Sequence, residues 1–283
     1  MSSLPSLAHP GLTLWPWRLR PAVLASLLVL AVVLGWALFP GLFSAIDPLL
    51  AVPAKALQAP SGEHWFGTDH LGRDLYARTV HGASLSLRAT TLAVLIALLA
   101  GGALGLVSGY FAGRVDALLM RLIEVLMAIP SLLLAMAVIT VLGFGTLNIA
   151  LAVGLSSVAT FTRMTRGEVL RWRASTFVEA AIASGVGHWS IIGRHILPHA
   201  AGPVLALAAL EFGGAVLAVS ALSFLGFGAP PPQPEWGLLI AEGRNFIVAA
   251  WWYTTLPGLV VAAVVLAANQ LARAMQKTWG EGR

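Results

Sequence analysis

LSLRATTLAVLIALLAGGALGLVSGY, residues 85–110, is a run of apolar and small side chains in which polar and apolar positions do not alternate. At about 1.5 Å per residue, a helix of this length reaches across the roughly 30 Å hydrocarbon core of a bilayer. A membrane barrel strand would alternate lipid-facing and lumen-facing residues, and this stretch does not. Five further runs share its character: residues 22–39, 122–142, 147–161, 201–225 and 254–272, of which 147–161 is the shortest. The chain of 283 residues is 58% hydrophobic and 10% charged. Soluble domains carry about 25% charged residues. A single globular core cannot hide this much apolar surface, so the expected fold is all-α, a polytopic transmembrane helix bundle with six spans.

The first run, residues 22–39, is eighteen residues long. That exceeds the usual apolar region of a cleaved signal peptide, and no small-x-small site follows before Asp47, so it reads as a retained helix. The net charge of +5 does not indicate nucleic acid, because the basic residues sit at the ends of apolar runs rather than in a stripe with interleaved aromatics. Cysteine is absent, which excludes a disulfide framework, a thiolate metal site and a thiol nucleophile.

Six runs with the N-terminus inside place Arg18, Arg20, Arg114, Arg121, Arg163, Arg166, Arg171, Arg173, Arg194, Arg273, Lys277 and Arg283 on the cytoplasmic side. Lys55, Arg73, Arg78, Arg88 and Arg244 fall outside. Twelve against five is the asymmetry of the positive-inside rule, and both termini are expected in the cytoplasm. Trp15 and Trp17 would mark the inner interface, and Trp251, Trp252 and Tyr253 the outer one. The expected organisation is a cytoplasmic N-terminal segment 1–21, a first span 22–39, an extracytoplasmic segment 40–84, a core of five spans over 85–275 with a cytoplasmic loop 162–200, and a tail 276–283.

The cytoplasmic loop is the most informative stretch. Thr176-Phe177-Val178-Glu179 reads as a capping box, with Thr176 as N-cap and Glu179 three residues on. Phe177, Val178, Ala181 and Ile182 then fall on one helical face. Gly185-Val186-Gly187 supplies a helix stop. A second short helix is expected from about Trp189 to Leu197, with Pro198 and Pro203 marking entry into the next span. Such a knob fits a groove in a soluble partner; the alternative is an ordinary surface loop in which Glu179 only caps a helix. Outside, Glu63, His64, Asp69 and His70 read as a solvated loop, with contact to a metal cargo as the alternative, and Leu75, Thr79, Val80 and Ala83 as one face of a short surface helix. The proline-dense segment 230–234 cannot be helical.

Ala89, Ala93, Ala97, Gly101, Gly105, Gly109 and Gly113 recur every four positions, a stripe for close helix approach inside the bundle or at a subunit interface. Glu211 lies about ten residues into the fifth run, where a charge costs roughly 2.5–3.5 kcal/mol on insertion scales. It reads either as a side chain of a translocation path or as a structural acid bonded to a neighbouring helix. Glu124, close to Arg121, reads as snorkelling or locally paired, and Pro130 implies a kink. His195 and His199 have i, i+4 spacing but no zincin pattern, so no metal site is expected there. The chain has no G-x-x-x-x-G-K-[ST] loop and no G-x-S-x-G elbow, so no catalytic residue, cofactor site or ATP site is expected within it.

Glu179-Ala180-Ala181, then Gly185, then Leu197-Pro198 resembles the EAA loop of ABC importer permeases; His195 stands where isoleucine is usual. Gly67-Thr68-Asp69 with Gly72-Arg73-Asp74, and Pro234-Glu235-Trp236-Gly237, resemble segments of the second, C-type permease of the dipeptide/oligopeptide/nickel group. The resemblance implies a type I importer fold in the bacterial cytoplasmic membrane. It also implies a homologous permease partner, two ATPase subunits that bind ATP and Mg, and an extracytoplasmic solute-binding protein. Coupling to the ATPase would fall to Glu179, Ala180, Ala181, Gly185, Leu197 and Pro198. The cargo implied is di- or oligopeptide, with nickel or a metal chelate as the alternative. From another class, an ion-driven secondary transporter would call for inverted repeats and broken mid-membrane helices, and no repeat is evident.

Overall fold

A computed structural model describes residues 21–280, excepting the side chains of 277–280. Trp15, Trp17, Arg18, Arg20, Arg283 and the Lys277 side chain, which enter the expected orientation, lie outside the described residues. Helix α1 spans Pro21–Leu38. Helix α2 runs unbroken over Leu75–Phe111, with one π turn at Ala97–Gly101. Helices α3 (Gly113–Met127) and α4 (Ser131–Leu142) follow, then α5 (Thr146–Arg173) and α6 (Thr176–Ala183). Helix α7 covers His188–Phe224, α8 Trp236–Gly243 and α9 Trp252–Gly280. Five of these helices are long and apolar enough to cross a membrane; a sixth crossing requires α3 and α4 to act as one span.

That pair departs from the expected single span with a kink. The two helices meet at 93°. Pro130 adopts φ −53°, ψ 129°, outside the helical region. A proline ring also pushes the residue before it away from helical geometry, so the chain turns a corner over Ala128–Pro130 instead of bending. Helices α2, α5, α7 and α9 run longer than their apolar runs, whereas α1 matches its own in length. Helix α5 continues twelve residues past Phe161, because Thr162, Thr165 and Val169 are buried against α2. Leu75–Ala83 is the first part of α2 rather than a separate surface helix. Helix α7 begins at His188 and passes through both Pro198 and Pro203. It does so with a π turn at Ile192–Ile196: the Leu197 N–H reaches the Ile192 carbonyl five residues back, immediately before Pro198 removes a donor.

Helix α5 is central and packs against α2, α3, α4 and α7, while α9 packs against α7 and α1. The small-residue stripe of α2 is turned to α5, within the subunit. A Cβ on Gly101 would lie 2.6 Å from the Val158 carbonyl, and one on Gly105 2.5 Å from the Thr162 carbonyl. Such distances leave no room for any side chain, so the two backbones are in near contact. Ala93 and Ala97 are buried on the same stripe, whereas Gly113 ends it in open space at φ +62°.

The helix ends form two groups. Segments 44–74 and 225–251 come together at one end, and 112–114 and 174–196 at the other. At the first end the expected solvated loop is instead a buried charge cluster. Asp69 accepts from Arg73 Nε at 2.5 Å and Arg78 Nη1 at 2.6 Å, and Arg78 Nη1 also meets Glu242 Oε2 at 2.8 Å. Asp69, Arg73, Asp74 and Arg78 are all buried. Burial pushes the Asp69 carboxyl upward, but hydrogen bonds from Arg73 and the Arg78 charge outweigh it and hold it below the usual carboxylate range. Asp74 caps α2 through the Ala77 N–H at 2.7 Å and binds His64 Nδ1 at 2.7 Å. Glu235 caps α8 by accepting from Gly237 and Leu238 N–H, each at 3.1 Å, and its deep burial raises its pKa. Trp252 and Tyr253, expected at the interface, are buried here: Tyr253 Oη donates to Glu242 at 3.2 Å and Trp252 Nε1 to the Thr68 carbonyl at 3.4 Å. Only Trp251 of the three is exposed.

Candidate functional site

The candidate coupling residues gather at the second end, on α6 and the start of α7. Helix α6 starts at Thr176, one residue earlier than a Thr176 cap would place it. Ser175 is the N-cap in extended geometry, but its hydroxyl donates back to the Trp172 carbonyl at 2.6 Å, so no capping box forms. Glu179 is instead an exposed acid in the first helical turn, where it faces the positive end of the helix dipole. The helix stops as expected. Gly185 takes φ +77°, its N–H bonds to the Ile182 carbonyl at 3.0 Å, and the Val186 N–H bonds to the Ala181 carbonyl at 3.1 Å. This paired closure requires a left-handed residue, which glycine adopts without strain.

The expected apolar face divides. Val178 and Ala181 are buried against Tyr110, Val169, Ile191 and Ile196 of this same chain. Phe177 and Ile182 remain exposed, together with Trp189. Ala180, Leu197 and Pro198 are also exposed, so of the six candidate coupling residues only Ala181 is turned inward. Phe177, Trp172 and His199 form an aromatic group beneath the tip, with ring centroids 4.6 to 6.1 Å apart. His195, in place of isoleucine, is half-buried beside the Ser190 carbonyl at 3.4 Å and leaves the helix intact.

One group of contacts ties this tip to the bundle, and a second braces the helices beside it. Tyr110 Oη, at the end of α2, meets His188 Nδ1 at 2.8 Å, and the Arg173 guanidinium lies 5.7 Å over the Tyr110 ring. Arg166 on α5 makes a bidentate pair with Asp116 on α3, at 2.5 and 2.7 Å, and Ser108 Oγ donates to the same carboxylate at 2.5 Å. The sequence reading singled out neither group. The available signal was that Asp116 and Arg166 flank different apolar runs at the same membrane side. Glu211 lies on α7, half-buried, and among the described residues no hydrogen bond or ion pair holds it. Glu124 is exposed on α3, and no ion pair joins it to Arg121 among the described residues. The described His, Asp and Glu side chains form no metal-binding group of three.

Residues 101–279, which include this whole assembly, match the family described as binding-protein-dependent transport system inner membrane component. The chain belongs to this family. The permease is 39% identical over 263 residues to the dipeptide transport system permease protein DppC of Alkalihalophilus pseudofirmus, covering 90% of this chain and 86% of that one. It is 37% identical over 254 residues to the probable D,D-dipeptide transport system permease protein DdpC of Escherichia coli, covering 90% and 84%. Among solved structures, a crystal structure of an amino acid ABC transporter with histidines superposes with a TM-score of 0.56 at 18% identity, covering 72% of this chain and 94% of that one. An inward-facing MetNI methionine ABC transporter gives 0.56 at 15%, covering 70% and 96%. These superpositions carry the fold alone. The permease is a multi-pass inner-membrane transport subunit of an ABC importer.

Proposed function

We propose that the permease carries di- or oligopeptides inward as one of two homologous membrane subunits, with both termini in the cytoplasm. Two ATPase subunits bind the ATP and Mg, and an extracytoplasmic binding protein presents the cargo. Support for peptide comes from the dipeptide and glutathione names of its relatives, which favour it over nickel. The observation that carries the coupling role is the division of α6: Val178 and Ala181 are locked into the bundle, while Phe177 and Ile182 on the two flanks of that stripe, and Glu179 beyond it, stay exposed. A partner surface pushed by ATP binding would grip the exposed side. The locked side would pass the motion through Tyr110, Val169 and Ile191 to α2, α5 and α7 together. Glu211, with no hydrogen bond or ion pair among the described residues, is available to a path between the two permeases. Alternating access follows if these helices move as one block.

The test is Gly185→Asp. A side chain at φ +77° strains the turn between α6 and α7 without touching the bundle, since nothing lies within 4 Å of that position. The variant should insert, pair with its homologous permease and co-purify with it, yet lose cargo-stimulated ATP hydrolysis and uptake in vesicles. Normal coupling would remove α6 from the mechanism.

A further inference from the structure

We infer that the permease holds an anionic phospholipid in a groove between its first and last helices, on the side of the membrane where α6 lies. The groove, about 370 Å³, runs between Ala22, Ala25 and Val29 of α1 and Ala263, Ala267 and Arg273 of α9. Its floor is apolar and shallow because most of the lining residues are small. The hydroxyl of Ser26, on the same wall, is occupied by the Ala22 carbonyl at 2.8 Å, so it offers no donor to a peptide or helix. The only strongly polar groups are at one end. Arg273 is exposed, its Nη2 meets Gln270 Oε1 at 3.3 Å, and no carboxylate pairs with it among the described residues.

Dimensions and charge suit one occupant. From Ala263 to Arg273 is ten residues. At about 1.5 Å of rise per residue this is roughly 15 Å, the hydrocarbon depth of one leaflet of a 30 Å core. An acyl chain laid in the groove therefore brings its phosphate to Arg273. Arg273 is the one charged residue that lines the groove, so the site favours an anionic headgroup over a zwitterionic one. Helix α1 buries only Val23, Ser26, Val33 and Trp36, so a lipid in this groove also covers a flank of a weakly packed helix.

The intact importer is reconstituted into nanodiscs of phosphatidylcholine with 10% phosphatidylglycerol, and co-purified phosphatidylglycerol is measured by native mass spectrometry. Wild type and Arg273→Lys should retain it. Arg273→Gln should retain about fivefold less, the equivalent of the ~1 kcal/mol carried by one basic side chain near an anionic surface. Ala267→Phe, which fills the groove and leaves the charge, should lose it as well. Equal retention by wild type and both loss variants overturns the site. So does efficient cross-linking of Ala25→Cys, unique in a cysteine-free chain, to the second permease, because that outcome places a protein helix in the groove.

Discussion

Gly105→Ala tests the near contact of α2 and α5 through which the proposed transmission of motion from α6 would run. The added methyl would meet the Thr162 carbonyl at 2.5 Å, Thr165 Cβ at 2.7 Å and the Arg166 nitrogen at 2.9 Å. Two of these atoms are backbone and cannot rotate away, so the helices must part by close to 1 Å to reach ordinary contact. Overpacking of this kind costs about 1–3 kcal/mol, against which the better helix propensity of alanine returns at most ~1 kcal/mol. Gly102→Ala is the internal control: it lies one turn away on the same helix, and nothing lies within 4 Å of its Cβ position. The assay is the unfolding midpoint of the purified permease pair in an SDS titration, together with ATPase coupling in vesicles. Gly105→Ala should be less stable than wild type by about 1–2 kcal/mol and coupled poorly, while Gly102→Ala should match or slightly exceed wild type. Equal midpoints for the two variants would mean that α2 and α5 are not in backbone contact there.

Glu211→Gln should reduce uptake while leaving assembly and basal ATP hydrolysis nearly intact; loss of assembled complex at normal expression would return Glu211 to a structural role. Arg166→Ala leaves the Asp116 carboxylate without its bidentate partner and should cost about 1–3 kcal/mol, read as a lower SDS midpoint; an unchanged midpoint would mean that α3 is held elsewhere. Because Asp69 titrates below its unfolded value, its contribution is present above the unfolded pKa of about 4 and is lost as pH falls through the lower folded value, so thermal stability in detergent should drop below pH 4 and Asp69→Asn should flatten that drop. Cysteines replacing the exposed Ser61 and Ser184 should react with an impermeant maleimide in intact cells only at position 61; the reverse pattern would invert the topology.

Apolar runs made the spanning helices legible, because hydrocarbon demands long stretches of uncharged residues. The helix stop at Gly185 was legible for a local reason: a left-handed turn has few residue choices. The start of α6 was not, because Ser175 and Thr176 are both capping residues and tertiary packing chose between them. The full length of α5 was hidden for a related reason: its last twelve residues are rich in polar and charged side chains and are covered by α2 and by the α6–α7 tip, contacts that no local window contains. Pro130 was visible as a disturbance, but whether proline kinks or breaks a helix depends on what the flanking helices pack against. The buried charges were the least legible. Asp69 and Arg78 are nine residues apart, yet Glu242 lies 164 residues from Arg78, and separation of that order makes a loop of charges look solvated. Arg166 and Asp116, 50 residues apart, were missed for the same reason.

Uptake of a radiolabelled dipeptide tests most directly the proposal that this chain is the membrane subunit through which ATP hydrolysis drives peptide inward. Vesicles containing the permease, its homologous partner, the two ATPase subunits and the binding protein should accumulate the dipeptide with internal ATP and Mg, with no imposed ion gradient and in the presence of a protonophore. Accumulation that persists without ATP and disappears when an ion gradient is collapsed would instead make this chain part of an ion-driven transporter.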